Sequence, residues 1–396
     1  MQKFDVVVVG GGIMGMSTAY YLTLQGKRVL ILEAGIFGAG ASGACDDMIL
    51  FQSKKPGINL ELAFESLELY HALNVDLKHD LGFENYGGMV LIKDQKELEI
   101  MEEFVQQQRM YGLDVVMLDE KEMRKRQPHI SSRFIASTYS PMDAQIDPFH
   151  VMYGFFHVAK NLGLEYRKKT PVVGIEKQGN GDFRITTQSG EVFEATQVVN
   201  AAGTWAGEIA AMVGENVPIT PKRGQIIITE KIPMVGETNL WSAEYLVSKL
   251  RPEVKTEISE EHKALGLGFA FTRSFGGNYL IGSTREYAGF DTRTTMEGVN
   301  AIVKQAVSYI PLLKDIHFIR AIAGLRPSTP DGKMILGEHQ DVPGFYTASG
   351  HEGDGISLAP ITGKLLSDMM CGAPSDSRLE ELSPVRFADV KGEQVQ

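Results

Sequence analysis

The chain has 396 residues, of which 43% are hydrophobic and 22% are charged, and its formal net charge at pH 7 is −11. This length exceeds what one ordinary hydrophobic core encloses, so we expect a globular protein of two domains. The acidic balance argues against nucleic acid or an anionic membrane surface as the main partner.

The N-terminal segment is predicted to form a strand, a glycine turn, a helix and a second strand. An apolar run at residues 4–9 leads into the sequence Gly-Gly-Gly-Ile-Met-Gly at 10–15. An amphipathic segment covers 17–24, and a second apolar run over 29–33 ends at Glu33. A strand before the glycines, a helix after them and an acid about 20 residues on are typical of a dinucleotide-binding unit.

The glycines of this turn have separate mechanical roles. Gly10 permits the tight turn, Gly12 lets the backbone approach a pyrophosphate, and Gly15 lets helix and strand pack closely. The helix N-terminus offers unpaired N–H groups and a positive dipole end to phosphates. Glu33 is placed to accept hydrogen bonds from ribose hydroxyls. The pattern predicts a dinucleotide site, and the alternative is a glycine-rich turn without a ligand.

The segment after Glu33 is rich in small residues and then acidic. Residues 35–44 allow the backbone to lie against a flat ligand, although a flexible surface loop can have the same composition. Asp46 and Asp47 follow Cys45, and no histidine lies nearby to complete a metal site. These acids are turn or cap residues, or they lie beside a cofactor.

Apolar periodicity and turn residues place the remaining elements in chain order. Helices are expected at residues 59–80, 96–111, 147–161, 297–309 and from the loop 350–355 to about 370. Strands are expected at residues 86–92, 137–146 (strand or loop), 165–175, 183–187, 191–194, 197–200, 218–229, 269–273, 279–284, 318–325 and 344–348. The third helix has Asp147 as its N-cap and Pro148 at its first position. Nucleotide-type elements at both ends and in the middle predict a discontinuous α/β nucleotide-binding domain that carries a substrate domain.

No targeting segment or membrane-spanning run is evident in the sequence. The apolar N-terminus lacks a cationic flank and a cleavage site, and no run reaches the roughly 18–20 apolar residues of a membrane helix. Cys45 and Cys371 have no metal-ligand spacing and form no disulfide framework. We therefore expect a cytoplasmic protein with no integral membrane segment and no bound metal.

Arg326 is the first candidate for substrate binding. It follows the apolar residues 322–325 and precedes a proline, so its guanidinium ends a largely buried strand and needs an anion. An arginine fork binds a carboxylate through two parallel hydrogen bonds. The alternative is a structural ion pair with a protein carboxylate. Arg273 and Arg285 are weaker candidates because each flanks a strand end and can simply be exposed.

His351 is the second catalytic candidate, with two interpretations. As a base it takes a proton from the substrate amine, and as a structural residue it shapes the turn before the last helix. We favour the structural role, because an amine that arrives neutral needs little acid–base help. Glu352 and Asp354 are interpreted as helix-capping acids.

Four motifs in the predicted order resemble a known family. They are the glycine turn with Glu33, residues 198–205, the run 324–332 (Gly-Leu-Arg-Pro-Ser-Thr-Pro-Asp-Gly) and residues 350–364. The chain resembles the FAD-dependent D-amino-acid oxidase family over nearly its whole length. The similar branch contains glycine oxidase, sarcosine oxidase and the flavin subunits of opine and proline dehydrogenases. The resemblance implies FAD and oxidation of a C–N bond next to a carboxylate.

The resemblance also implies a fold and a set of site residues. It divides the chain into a Rossmann-type FAD-binding domain (1–82, 147–216 and 321–396) and an α+β substrate domain on an antiparallel sheet (83–146 and 217–320). Arg326 falls where the family holds the substrate carboxylate. The implied FAD contacts are the glycine turn with Ile13 and Met14, Glu33, Ala34, Ala41, Ser42, Asp47, Met48, the Val173 amide, the turn at Ala202 and Gly203, and the loop His351, Glu352, Gly353, Asp354, Gly355, Ile356 and Ser357. Backbone N–H groups of residues 353–356 are expected to stabilise negative charge on the reduced flavin.

The chain departs from the family pattern at three positions. Gly353 stands where glycine oxidase-like members carry arginine, and Phe269 stands where a substrate-facing tyrosine is expected. No cysteine lies near residues 327–337, where sarcosine oxidases tether their flavin. We expect noncovalent FAD, and a substrate other than glycine.

The sequence is consistent with three functions. The first is the oxidation of an amino acid or N-substituted amino acid, with hydride transfer to flavin N5, by the flavin subunit of a multi-component dehydrogenase. A free-standing oxidase that makes hydrogen peroxide is a variant of it. The second is an electron-relay or structural flavin subunit with an inert substrate site, which an intact Arg326 disfavours. The third, an NAD-dependent dehydrogenase, is disfavoured because a second glycine fingerprint is missing.

Overall fold

The computed structural model describes residues 2–251, 253, 263–374 and 376–388. The helices are α1 Ile13–Leu24, α2 Ile58–Asp76, α3 Gln95–Met110, α4 Glu120–Arg126, α5 Pro148–Asn161, α6 Ala206–Ala211, α7 Ala243–Leu250, α8 Met296–Tyr309 and α9 Gly355–Met370. The strands are β1 Gln2–Val9, β2 Val29–Leu32, β3 Met48–Ile49, β4 Gly88–Ile92, β5 Val116–Asp119, β6 Ala136–Ser140, β7 Ala144–Gln145, β8 Glu165–Arg167, β9 Val172–Lys177, β10 Phe183–Thr187, β11 Val192–Asn200, β12 Thr220–Thr229, β13 Asn239–Ser242, β14 Ala270–Arg273, β15 Tyr279–Gly282, β16 Phe318–Ser328, β17 Ile335–Glu338 and β18 Phe345–Ser349.

The first sheet is built around β1. Its order is β17-β18-β11-β1-β2-β8, with β10 and β9 continuing from β11, and the neighbours of β1 run parallel to it. Residues Val6 to Val9 are all buried, as expected for a parallel strand covered on both faces. Helix α1 packs against α5 and α9 on one face. The carboxyl ends of β1, β2, β11 and β18 therefore meet at one edge, where the glycine turn begins.

The second sheet is antiparallel apart from one pair. Its order is β16-β12-β15-β14-β13-β4-β6-β5, and only β13 and β4 run parallel among its described pairs. The long pairing of β12 with β16 places Gly224 opposite Gly324 and Lys222 opposite Arg326. This register brings the predicted substrate arginine beside residues that lie about a hundred positions earlier in the chain. The predicted combination of a Rossmann-type layer with an antiparallel sheet is confirmed.

The domain boundaries themselves stay a prediction. Strand β16 belongs wholly to the second sheet, although the boundary after residue 320 would divide it. The segments assigned to the two domains also include residues 1, 252, 254–262, 375 and 389–396, which lie outside the described part of the chain.

Several element predictions need correction. The stretch 165–175 contains two strands, because β8 pairs with β2 whereas β9 pairs with β10. Conversely, 191–194 and 197–200 lie in one strand, β11, which pairs with β10 at its start and with β1 along its length. Helix α2 ends at Asp76, four residues early. The short elements α4, α6, α7, β5, β13 and β17 were not predicted, because their apolar patterns extend over too few residues.

One buried acid makes stability depend on pH. Glu97 lies in the first turn of α3, and burial raises the pKa of its carboxyl from 4.5 to about 7. Between these values the folded state holds a proton that the unfolded chain releases, so the free energy of unfolding falls as pH rises through this window. Glu97→Gln removes the titration. Its stability relative to wild type should rise by on the order of 2–3 kcal/mol from pH 4 to pH 8.

Urea unfolding at several pH values measures this effect. Glu99→Gln, on an exposed position of the same helix, is the matched control and should follow the wild-type curve. If the free energy of unfolding changed with pH in the same way for wild type and Glu97→Gln, Glu97 would be ionised equally in the folded and unfolded states.

Candidate active site

The glycine turn after β1 is tightly packed on one side and open on the other. Gly10 has a φ of 109°, and a Cβ there would lie 2.5 Å from the carbonyl oxygen of Ala201. A Cβ at Gly15 would lie 2.0 Å from the carbonyl oxygen of Gly10, so α1 approaches the turn too closely for any side chain. A Cβ at Gly12 would have one near neighbour, Ser42 Oγ at 3.2 Å. The open side of the turn therefore lies at Gly12.

Glu33 fixes the shape of this turn. Its Oε2 accepts a hydrogen bond from Gly11 N at 2.7 Å, and its Oε1 accepts one from Gly35 N at 2.6 Å. Ser42 Oγ accepts from Ile13 N at 3.0 Å at the start of α1. Gly12 caps this helix without a side chain, so further N–H groups of its first turn are left for an external acceptor. The glycine turn and the start of α1 thus form a cradle for an anion.

One large cavity connects this cradle with the second sheet and encloses about 690 Å³. One wall comes from the glycine turn, the end of β2 and the loop before α9. The other comes from β12, α7, β14 and β16. The predicted residues that line it are Gly10, Gly12, Ile13, Met14, Glu33, Ala34, Ala41, Ser42, Met48, Ala202, Gly203, Arg326, His351, Glu352, Gly353, Asp354, Gly355 and Ile356.

Four predicted residues do not line this cavity. Gly15 lies beneath the turn. Val173 is 53% exposed to solvent, whereas its neighbours Pro171 and Val172 line the cavity. Asp47 accepts a hydrogen bond from the Cys45 thiol, and burial raises the pKa of its carboxyl. Ser357 Oγ donates to the Asp354 carbonyl inside α9. A role for these residues in cofactor binding stays a prediction.

Arg326 reaches the cavity without a carboxylate partner. Nη1 donates to the Thr284 carbonyl at 3.1 Å, and Nη2 donates to Ser283 Oγ at 2.8 Å. None of the ion pairs formed by the described residues includes it. Burial lowers the pKa of the guanidinium, and the nearby Arg285 lowers it further. Three of its five N–H groups remain for a ligand, so the alternative of a structural ion pair finds no support in the described residues.

Two glycines make room for this guanidinium. A Cβ at Gly224 would collide with Arg326 Nη1, so β12 needs a residue without a side chain at that position. A Cβ at Gly353 would lie 4.0 Å from Nε, which leaves space between the arginine and the loop before α9. The departure from the family pattern at Gly353 therefore opens the site beside Arg326.

His351 is buried and neutral. Its Nε2 lies 3.0 Å from Oγ1 of Thr362, a residue of α9. Burial lowers the pKa of the imidazole from 6.5 to about 3, so the ring is uncharged near neutral pH and is a weak base. These observations favour the structural role, in which His351 holds the loop against α9.

Glu352 and Asp354 are not the helix caps that we expected. Glu352 forms an ion pair with Lys222, and Asp354 Oδ1 accepts from Lys54 Nζ at 2.7 Å. Asp354 occupies the N-cap position of α9 but makes no side-chain cap hydrogen bond. Because the carboxylate is turned away, the first N–H groups of α9 stay available to an anion in the cavity.

The comparisons with known proteins agree with this geometry. The family model described as "FAD dependent oxidoreductase" matches residues 5–369. The chain belongs to this family, DAO. It is 28% identical to the hydrogen cyanide synthase subunit HcnC of Pseudomonas aeruginosa, with 93% of each chain covered. It is also 28% identical to the glycine oxidase of Bacillus subtilis, again with 93% of each covered. The crystal structure of glycine oxidase from Geobacillus kaustophilus matches with a TM-score of 0.87 at 26% identity, covering 98% of this chain and 99% of that one.

The family is FAD-dependent, and the described residues fit that cofactor. Gly12 faces a cavity that Glu33 and Ser42 shape, and the uncapped start of α9 borders the same cavity. Cys45 lines the cavity as a free thiol whose pKa is raised by burial, and Cys371 lies past the end of α9. Noncovalent attachment of FAD stays a prediction. No group of acids, histidines or cysteines suited to a metal ion, and no membrane-spanning helix, occurs among the described residues.

The sequence did not single out several cavity residues. Lys222, Trp241 and Tyr245 line the wall from the second sheet, and Arg285 was treated only as a weak candidate. Tyr245 lies on α7, a helix of eight residues, whose pattern is too short to be recognised. Lys222 precedes only a short apolar run at residues 226–228, and its partner Glu352 is 130 positions away.

Proposed function

We propose that this chain oxidises the C–N bond of an amino acid or an N-substituted amino acid. The observation that carries this proposal is the Arg326 guanidinium, which lines the FAD cavity and forms no ion pair with any described carboxylate. Arg326 is half-buried, a guanidinium withdrawn from water is costly unless it meets an anion, and a substrate carboxylate is an anion of matching geometry. When bound, FAD accepts the hydride that leaves the carbon bearing the amine.

The residues around Arg326 orient the substrate and exclude water. Ser283 and Thr284 hold the guanidinium plane, which leaves a fork directed at the substrate carboxylate. The side chains of Trp241 and Phe269 add apolar surface to this wall between its cationic residues. His351 is neutral and a weak base, so we assign it no proton transfer and take the substrate amine to arrive unprotonated. The imine product then hydrolyses in water.

We further infer that the chain passes electrons to a partner rather than directly to oxygen. The similarity to a protein named as a subunit of hydrogen cyanide synthase supports this inference. The comparable similarity to glycine oxidase supports the alternative, a free-standing enzyme that makes hydrogen peroxide. An electron-relay subunit without a substrate is disfavoured by the free fork of Arg326.

Two measurements test the proposal. Anaerobic addition of a panel of amino acids and N-substituted amino acids should bleach the flavin of the isolated chain, and failure of every amine would favour the electron-relay alternative. With a reactive amine, peroxide formation in air should be slow. An artificial electron acceptor should raise turnover at least tenfold above the rate in air, which corresponds to on the order of 1.4 kcal/mol in activation free energy. Oxygen consumption as fast as turnover with the acceptor would identify a free-standing oxidase.

A further inference from the structure

A second guanidinium lies in the same cavity as Arg326. Arg285 lines the wall formed by the second sheet, just past β15. None of the ion pairs formed by the described residues includes it. Its Nη1 lies 3.5 Å from the Ser283 carbonyl oxygen, a long hydrogen bond and the one that its guanidinium makes to a described residue. Arg285 is therefore a second cavity cation that forms no ion pair with a described carboxylate.

The side chain of Arg285 is held in one position. Its Cζ lies 3.7 Å from the ring centroid of Tyr245, so the guanidinium lies over the face of the tyrosine ring. A Cβ at Gly268 would lie 2.5 Å from Nη1, and the glycine gives the guanidinium room. Stacking occupies the face of the guanidinium and leaves the N–H groups at its edge available. Such a preorganised edge is suited to a carboxylate.

None of the nearby acids forms an ion pair with either guanidinium among the described residues. Asp46 lies within electrostatic reach of both Arg326 and Arg285, and burial raises the pKa of its carboxyl despite these cations. Glu352 is committed to Lys222, and Asp354 is committed to Lys54. An amino acid with one carboxylate and a neutral amine would bring one negative charge. Neither guanidinium forms an ion pair with a described carboxylate, so each has N–H groups free to bind one carboxylate of a substrate that carries two.

The separation of the two guanidinium groups limits the size of that substrate. Arg326 Nη2 lies 2.8 Å from Ser283 Oγ, and Arg285 Nη1 lies 3.5 Å from the carbonyl oxygen of the same serine. Two atoms of one serine are at most about 5 Å apart, so the two nitrogens lie within roughly 11 Å. A small amine with two carboxylates a few bonds apart, and a hydrogen bond of about 2.9 Å at each end, spans this distance.

We propose that Arg285 binds a second carboxylate, and that the substrate is a dicarboxylic amino acid or an amino acid with a carboxyalkyl group on nitrogen. This inference rests on the proposed function, because it takes Arg326 as the site of the first carboxylate. Arg285 determines specificity from a position in contact with the substrate. The two chemical sources of the second carboxylate, side chain and nitrogen substituent, are separated by experiment.

The test uses the FAD-loaded chain, its Arg285→Met variant and an Arg293→Met control. Arg293 is exposed, is paired with Asp291 and does not line the cavity. Matched probes are N-methylglycine against N-(carboxymethyl)glycine for the nitrogen substituent, and norvaline against glutamate, in both enantiomers, for the side chain. Affinity comes from anaerobic flavin reduction. The unreactive pairs glutarate with butyrate and succinate with propionate give dissociation constants from the flavin absorption spectrum without turnover.

At least one dicarboxylate should bind the wild type and the control about ten- to a hundredfold more tightly than its matched monocarboxylate. In Arg285→Met this preference should fall to about threefold or less, whereas monocarboxylate binding should stay within about twofold. A preference that is absent in the wild type, or that survives in Arg285→Met, would overturn the assignment. If no amine of either kind reduces the flavin, the proposed function fails, while the unreactive acids still decide whether Arg285 binds a carboxylate.

Discussion

Gly12→Val should yield a folded but colourless protein. The backbone at Gly12 has a φ of −75°, which any residue can adopt, and a Cβ there would meet only Ser42 Oγ at 3.2 Å. The rest of the valine side chain would point into the cavity, where the pyrophosphate of FAD is expected. Overpacking of this kind costs roughly 1–3 kcal/mol or more, which is roughly 5- to 150-fold in affinity.

The measurement is the FAD-to-protein ratio after purification. Acid precipitation of the wild type should release its flavin into the supernatant, because we expect no covalent bond, whereas Gly12→Val should release little. Gly179→Val is the control, since Gly179 lies in an exposed turn without a positive φ, and a Cβ there would have no neighbour within 4 Å. A yellow Gly12→Val protein with wild-type FAD content would place the pyrophosphate elsewhere.

The contrast with Gly15 separates the part of the glycine turn that faces the cofactor site from the part that is needed for packing of the fold. A Cβ at Gly15 would collide with the carbonyl oxygen of Gly10 at 2.0 Å, so a side chain there disrupts the contact of α1 with the turn. The sequence could predict both roles because the geometry of a strand, a tight turn and a helix is local. The acid at Glu33 was predictable for the same reason, although its hydrogen bonds to Gly11 and Gly35 were not.

Contacts between distant parts of the chain could not be predicted from the sequence. Glu352 and Asp354 look like capping acids because they precede a helix, yet Lys222 and Lys54 bind them from 130 and 300 positions away. Arg285 looked exposed because nothing in its neighbourhood in sequence shows that Tyr245 lies beneath it. The two halves of β11 looked separate because a strand that changes partners has no single apolar period. In each case the missing information is a tertiary pairing rather than a local preference.

Arg326→Lys should bind the substrate far more weakly while it keeps its FAD. Lysine preserves the positive charge but has no planar fork, so it loses the bidentate geometry and the bond to Ser283 that orients it. Loss of a charge-assisted hydrogen bond costs about 1.5–3 kcal/mol, roughly ten- to 150-fold in affinity. If the carboxylate also orients the reacting carbon, flavin reduction should slow as well.

Anaerobic stopped-flow reduction across substrate concentrations separates the dissociation constant from the reduction rate. Arg320→Lys is the matched control, because Arg320 lies on the same strand, β16, with an exposed side chain outside the cavity. The amine that lacks a carboxylate should be a poor substrate for the wild type and should lose little further in Arg326→Lys, because it never used the fork. An unchanged dissociation constant and an unchanged rate in Arg326→Lys would mean that the guanidinium only supports Ser283 and Thr284, and that the substrate carboxylate binds at another cation of the cavity wall, with Arg285 the first to examine.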